Sequence, residues 1–539
     1  MGAVLAMRRL CLMCLIALLA ACDLSAAEPL LRVRIRVDGQ ELALSVKPPS
    51  SVGQVLRRAN VTLGAFDRLN PPDFTPVTDG MLITVVRVEN RTECFDESVP
   101  YARETLKTPD LPEGATRVLQ GGVNGVARVC YDVLLEDGIE RRRTQSGRTL
   151  LTPPVNQVVA VGVDLSRLEP IAINGTIFYI SNGQARLIRE TSLNQFTLQT
   201  GGNLDGFVFS VSPDGRQLLY TRKPDTPSLE VFNELWVLMD TTDPSARPVK
   251  LVVDNVFYAE WLPDRPNTFS YSTLRPRTEP PAYQALNDLF IARLDATGKI
   301  VAADPILPPT DSGTYSQWGT LFAWSPDGKR LAWAQAEGVG TVDLRRGRLQ
   351  KLIDFRIYQT TLTRGWLWQP SLAWSADGAI LAASVHGAPL GDEPPENSPV
   401  FDIAVVNTAA NFVINPFLER VGMWSAPQFS PLVRTARDTV SGSIAYLQAR
   451  TPNDSVNGEY DLVVADRDGS NPRVVFPGRE QVGILPFEDR TRGPKFQWSP
   501  DGKQIVLAYQ GDLHVIDVSS GRATRITVEG SARSPRWTR

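Results

Sequence analysis

The sequence predicts a mostly β chain whose larger part is a ring of repeated hairpins, and three observations predict it. One phrase recurs: Trp324-Ser325-Pro326-Asp327-Gly328 and Trp498-Ser499-Pro500-Asp501-Gly502 are full copies, while Trp374-Ser375-Ala376-Asp377-Gly378 and Val211-Ser212-Pro213-Asp214-Gly215 are near copies. Each copy stands between an apolar run and an alternating run, the pattern of two strands around a tight turn. Pro presets φ at the second turn position, and Asp then Gly complete the turn. Helical periodicity is scarce, whereas the chain holds 40 Gly and 41 Pro. An irregular repeat with one hairpin per about 40 to 70 residues is the mark of propeller blades. Trp261-Leu262-Pro263-Asp264, Phe429-Ser430-Pro431 and Trp537 are weaker copies. Inner strands are therefore expected to end at Val211, Trp261, Trp324, Trp374, Phe429, Trp498 and Trp537.

The length of 539 residues exceeds one ordinary domain. A net charge of −3 argues against a nucleic-acid partner. Arg8 and Arg9 precede a short apolar run, Leu10 to Ala21, which reads as a signal peptide over 1–21. It ends in Leu19-Ala20-Ala21-Cys22, which resembles the lipobox of bacterial lipoproteins. That resemblance implies a mature chain lipidated at Cys22, a linker over 22–30 and attachment to a membrane by acyl chains. An ordinary secretory signal is the alternative. Of five Cys, Cys11 and Cys14 leave with the signal and Cys22 is lipidated. Cys94 and Cys130 remain in an oxidising compartment, either bridged or as two buried thiols.

Residues 31–90 read as strand, Asp38-Gly39 hairpin, strand, helix, strand. Ser50 or Ser51 caps the helix, which carries Val52, Val55, Leu56 and Ala59 on one face. Val37-Asp38-Gly39, Val55-Leu56, Asp79-Gly80 and Ile83-Val85 resemble the ubiquitin-like β-grasp module of resuscitation-promoting factors and related cell-wall proteins. This small module is the one α+β part of an otherwise all-β chain. Residues 91–163 resemble the domain family named for its five glycines, with Gly114, Gly122, Gly125, Gly138 and Gly162 at suitable places. Gln120-Gly121-Gly122-Val123-Asn124-Gly125 and Tyr131-Asp132-Val133 carry the match. The resemblance implies thin, extended sheets that contact N-acetylglucosamine-containing glycan; a purely structural stalk is the alternative. Arg141-Arg142-Arg143 is a solvated strand face or a contact for anionic wall polymer.

Residues 164–539 form the propeller. The mixed blade needed to close it is supplied by 175–189, a strand, an Asn182-Gly183 turn and a strand, pairing with 531–538. Closure leaves no open sheet edge. Seven blades are expected, with six as the alternative. The blade phrases resemble the repeats of TolB-type periplasmic proteins and of the non-catalytic domain of prolyl-oligopeptidase-like peptidases. Asp466-Arg467-Asp468-Gly469-Ser470-Asn471 reads as an outer turn rather than a calcium loop, because the bidentate Glu is missing.

Pro-rich insertions at 275–283, 387–400 and 478–493 sit on the surface, where recognition concentrates. Trp318, Trp368 and Trp424 each stand five or six residues before an inner-strand marker. With Trp366 they make a candidate ligand platform at one channel mouth; packing between blades is the alternative. His386 and His514 lie in strand-like runs and read as structural. No nucleophile elbow, His-Glu-x-x-His motif or phosphate loop occurs. No catalytic residue, metal or cofactor is therefore expected, and the chain reads as a non-enzyme. The expected function is a lipid-anchored envelope scaffold. Its stalk would meet cell-wall glycan, and its propeller would hold a protein or polysaccharide partner. A propeller glycosidase or lyase, and a TolB-like assembly partner or sensor, are the alternatives.

Overall fold

The computed structural model describes residues 29–226, 228–310, 316–359, 366–434, 440–486 and 495–539. The signal peptide and Cys22 therefore lie outside the described residues, as does most of the end of the third insertion. The chain forms two compact units, 1–104 with 118–159 and 105–117 with 160–539.

In the first unit, strand Leu31–Val37 turns at Asp38-Gly39 into antiparallel Gln40–Val46. Leu31–Val37 also pairs in parallel with Leu82–Val86. Asp38 and Gly39 both have positive φ, 54° and 73°, as a twist-matched two-residue hairpin requires. Helix Val52–Arg58 begins in a capping box: Ser51 Oγ accepts from the Gln54 amide, and the Gln54 side chain accepts from the Ser51 amide. Its buried Val52, Val55 and Leu56 close a core with Val33, Ile35 and Ile83. A long sheet of Val88–Val99, Gly125–Glu136 and Ile139–Thr152 follows. All positions of Ile139–Thr152 are exposed, so this sheet is thin. Cys94 faces Cys130 across the first strand pair and is bonded to it, S–S 2.01 Å. Arg87 enters this sheet while its guanidinium holds Asp38 and Asp67, each at 2.7 Å.

In the second unit, seven sheets each follow a four-strand antiparallel path. Their inner strands are Leu204–Val211, Val256–Trp261, Leu321–Trp324, Leu372–Trp374, Gln428–Phe429, Phe496–Trp498 and Arg533–Thr538, numbered here as blades 1 to 7. Each inner strand touches the next, and Arg533–Thr538 touches Leu204–Val211, so the ring is closed. Blade 7 is mixed. Arg533–Thr538 pairs with Ala172–Ser181, which pairs with Gln184–Thr191 and through it with Gln195–Thr197.

The repeated phrase has a geometric cause. In blades 1, 3, 4 and 6 the turn Ser Oγ donates to the turn Asp at 2.5 to 2.6 Å. The same Oγ accepts the amide of the returning strand at 2.8 to 3.0 Å. The marker Trp then ties its blade to the one before. Trp261 Nε1 donates to Ser210 O, Trp324 Nε1 to Ser270 Oγ, Trp374 Nε1 to Ala323 O and Trp498 Nε1 to Gln428 O, at 2.8 to 3.2 Å. Val211 and Phe429 have no indole to make this tie.

Segment 105–117 packs on blade 7. Arg186, 4 % exposed at its side chain, places its guanidinium 3.1 Å from Asp110 and 3.5 Å from the fully buried Glu529. Tyr179 Oη donates to Glu529 at 3.0 Å. Thr197 Oγ1 also donates to Asp110, at 3.0 Å. Gly162 lets the backbone close in here, since a Cβ on it would lie 1.8 Å from Pro112 O.

Turns in an antiparallel blade alternate between two rims. The Ser-Pro-Asp-Gly turns and the third-to-fourth-strand turns share one rim. The second-to-third-strand loops and the connections to the next blade share the other. Among the described segments, 228–233, 387–400, 419–427 and 450–459 belong to the second group, while 239–248 and the ribbon Val433–Arg434 with Val440–Ser441 belong to the first. Most of the longer described loops therefore gather on the second rim.

Candidate functional site

The long-loop rim is the candidate site. On it, loops of blades 1 and 2 enclose a cavity of about 570 Å³. The blade 1 loop is shaped by Ser228, whose Oγ accepts the Glu230 and Val231 amides at 3.0 and 3.2 Å. Asn255 secures its end. Its Oδ1 accepts the Phe232 amide at 2.6 Å and its Nδ2 donates to Glu230 O at 3.0 Å. The blade 2 loop is the Pro-rich insertion at 275–283. Arg277 N–H donates to Ala282 O, and Ala282 N–H to Glu279 O. Ala282 stands at φ 73°, an unfavourable conformation for a residue with a Cβ, of the kind that gathers at functional sites.

Phe207 and Phe232 form the aromatic wall, and buried Tyr283 packs against both. Their centroids lie 5.0 to 5.9 Å apart, with ring planes crossed at 71° to 90°. Asp205 lies at the base. Its Oδ1 accepts from Thr221 Oγ1 at 2.5 Å and from the Phe207 amide at 2.9 Å, while Oδ2 is buried without a hydrogen-bond partner. Burial pushes the Asp205 carboxyl above its ordinary range, against these hydrogen bonds and the nearby Lys223 charge. Lys223 and Arg277 are exposed at the lining. A second cavity, about 350 Å³, lies on the other side of the same insertion, between Glu279, Tyr283 and Gln317.

The four tryptophans expected at a mouth are on this rim, in the connections between blades. Trp366 and Trp424 lie near each other, centroids 6.0 Å apart and planes at 30°. Trp368 joins them, but it is only 1 % exposed. Its indole donates to Met423 O at 3.1 Å, and it packs on Phe401. Trp368 therefore offers no face to a ligand, which corrects its place in the platform. Trp318 ends the short turn Ser316–Trp318 on the preceding connection, half-buried. The two connections meet where Gln369 Nε2 donates to Gly319 O at 2.6 Å.

The sequence reading missed Asp205, Phe207 and Phe232. Asp205 opens an inner strand and Phe232 ends a loop, so no local pattern joins them. The insertion was the available signal.

Inner strands bring a further polar group together. Tyr258 and Glu260 are the half-buried positions alternating with buried Phe257, Ala259 and Trp261. Tyr258 Oη donates to Glu260 at 2.8 Å. Burial pushes the Glu260 carboxyl up, opposed by this hydrogen bond and by the charge of Arg536 from blade 7. Arg536 Nε donates to Phe209 O at 3.0 Å.

Both histidines are internal. His386 places Nδ1 2.8 Å from Arg356 O and Nε2 2.9 Å from Ser398 O. His514 is stacked on Phe476, and burial pushes it down to about 4. Among the described residues no group of three His, Cys, Asp or Glu is placed to hold a metal ion. No helix among them is long and apolar enough to cross a membrane.

The five glycines stand at turns and close approaches. Gly114 and Gly138 have φ of 75° and 77°. A Cβ on Gly122 would meet the Tyr101 ring, and one on Gly125 would meet Thr152 O.

Comparison with known proteins finds two domain matches, both near the N-terminus. A G5 domain matches residues 90–164, and a G5-linked ubiquitin-like domain matches residues 33–72. The resuscitation-promoting factor RpfB of Mycolicibacterium smegmatis is 29 % identical over 145 residues, 26 % of this chain and 39 % of that protein. The chain thus spans about two fifths of the length of that relative. A putative TolB from Agrobacterium tumefaciens is similar in structure over 62 % of this chain and 96 % of its own, at 15 % identity and a TM-score of 0.33. The tricorn protease is similar over 76 % of this chain and 39 % of its own, at 9 % identity and a TM-score of 0.41.

One expectation is corrected by these findings. The absence of catalytic motifs reads as a non-enzyme, but the solved structures similar to this chain include a protease. The absence of a sequence motif excludes no reaction. The likeness itself is one of fold and assigns no reaction to this chain.

Proposed function

We propose that this chain is a lipid-anchored, extracytoplasmic binding protein of the cell envelope. Its N-terminal modules, 31–90 and 91–163, contact wall glycan, and the long-loop rim of its propeller, 164–539, holds a protein or polysaccharide partner. The observation that carries this reading is that two cavities and an aromatic cluster gather with most of the longer described loops on one rim. Binding and catalytic residues concentrate in loops displayed by a rigid scaffold. The G5 and ubiquitin-like matches, and the RpfB similarity across them, favour the envelope setting. Leu19-Ala20-Ala21-Cys22 supports the anchor.

Photo-crosslinking in native cells tests the rim. A benzoylphenylalanine at Gln317 or Glu279 is expected to give discrete adducts, and one at Lys329 or Arg346 on the opposite rim is not. Adducts that are equal from both rims, or absent from both, overturn it. Cosedimentation with purified peptidoglycan, competed by soluble muropeptides, tests the glycan contact. Unchanged pelleting with competitor sinks that part.

A second reading is catalysis in the channel, favoured by Glu260 with its raised carboxyl and hydrogen-bonded Tyr258. Glycoside cleavage uses an acid with a raised carboxyl together with a second carboxylate. Reducing-end release from peptidoglycan, lost in Glu260→Gln, would carry it; no release by the parent chain would end it.

A further inference from the structure

The larger cavity differs from a sugar site in its walls. Carbohydrate stacks on an open ring face, whereas here Phe207, Phe232 and Tyr283 meet edge to face and cover one another. What remains for a ligand is ring edges and the aliphatic groups of Pro224, Val231 and Pro276. Leu229, 83 % exposed, stands among the lining residues. A volume of about 570 Å³ suits one or two side chains rather than a folded surface.

The charges are arranged with the same one-sidedness. Lys223 and Arg277 are the cationic lining residues, one from each loop. Asp205 is the one acid among the described lining residues, and burial raises its carboxyl. The mouth is therefore cationic and the interior apolar. A ligand that matches both parts has an apolar group and a carboxylate close together.

We infer that this cavity binds the carboxyl terminus of a peptide ending in an apolar residue, with the last side chain against Phe207 and Phe232 and the terminal carboxylate between Lys223 and Arg277. This deepens the proposed rim function and rests on it. It names a peptide where that reading left protein and polysaccharide open.

The test uses the full chain purified in detergent and a fluorescein-labelled peptide, Gly-Ser-Gly-Ser-Phe, read by fluorescence anisotropy. The free-acid peptide is expected to bind at least 10-fold more tightly than its C-terminal amide. The double variant Lys223→Gln/Arg277→Gln should reduce the acid to the affinity of the amide. Leu229→Asp should weaken both forms by 10-fold or more, and parent-like melting of each variant shows that the fold is kept. Equal affinity for acid and amide, no saturable binding below millimolar concentration, or unchanged binding in the double variant overturns the inference. Displacement of the peptide by N-acetylglucosamine oligomers would overturn it in favour of glycan. If the peptide fails while Gln317 still crosslinks a partner in cells, the cavity assignment falls and the rim reading stands.

Discussion

Ile177 lies directly opposite Trp537 in the strand pair of blade 7, and the Trp537 indole N–H donates to Asn174 O at 2.8 Å. Both residues belong to one core cluster with Tyr179, Ile188 and Val515. The ring is thus closed by apolar packing between segments far apart in sequence, and an opened ring would expose unpaired strand edges.

Trp537→Ala should therefore act on the whole propeller. Removal of a buried indole typically costs about 3–5 kcal/mol. Denaturant unfolding should show a lower midpoint for the second unit. A midpoint within error of the parent would show that the seam does not hold the ring.

The indole ties between blades predict a separable polar contribution. Trp324→Phe keeps a ring in the core of blades 2 and 3 but removes the indole N–H that Ser270 Oγ accepts. A loss of about 1 kcal/mol is expected from the hydrogen bond, beyond the smaller ring volume. Ser270→Ala should lose a similar amount, and the two losses should not add. Full additivity in a double-mutant cycle would refute the tie.

Arg186 is surrounded by acids that differ in exposure. Arg186→Met leaves Glu529 buried and unpaired, a situation that costs about 3–5 kcal/mol. Adding Glu529→Leu should recover most of that loss, measured by urea unfolding. Burial raises the Asp110 carboxyl, but the Arg186 charge and hydrogen bonds outweigh it, and the net shift is downward. A lowered carboxyl contributes stability above its ordinary value of 3.8 and loses it as pH falls through its folded value. Asp110→Asn should therefore be destabilising at pH 7 and indistinguishable from the parent in strong acid.

His514 supplies a pH dependence in a milder range. Its value falls from 6.5 to about 4, chiefly through burial. A depressed His favours the folded state when neutral, so its contribution is complete above pH 6.5 and declines as pH drops towards 4. Linkage puts the decline at about 3 kcal/mol. His514→Phe, which can keep the stack on Phe476, should flatten the stability profile between these values. An unchanged profile would show that another group governs acid unfolding.

Much of the fold was legible because it depends on local rules. Asp38-Gly39 demands a hairpin, Ser51 with Gln54 starts a helix, and each Ser-x-Asp-Gly turn satisfies its own hydrogen bonds within five residues. Inner-strand ends were placed by the same turns. The site was less legible. Trp366, Trp368 and Trp424 were recognised as neighbours of the rim, yet their exposure depends on residues distant in sequence, such as Phe401 and Met423.

By itself the sequence determined the β class, the order of the modules and the recurrence of one hairpin, because turn chemistry and alternation act over a few residues. Only the tertiary structure decided which indoles join blades, which tryptophan is buried and where the cavities lie. Asp205, Phe232 and Pro276 come from three separate segments, and it is the packing of blade 1 against blade 2 that brings them to one site. Burial and the charge shifts that follow from it are properties of that packing, and no single stretch of the chain encodes them.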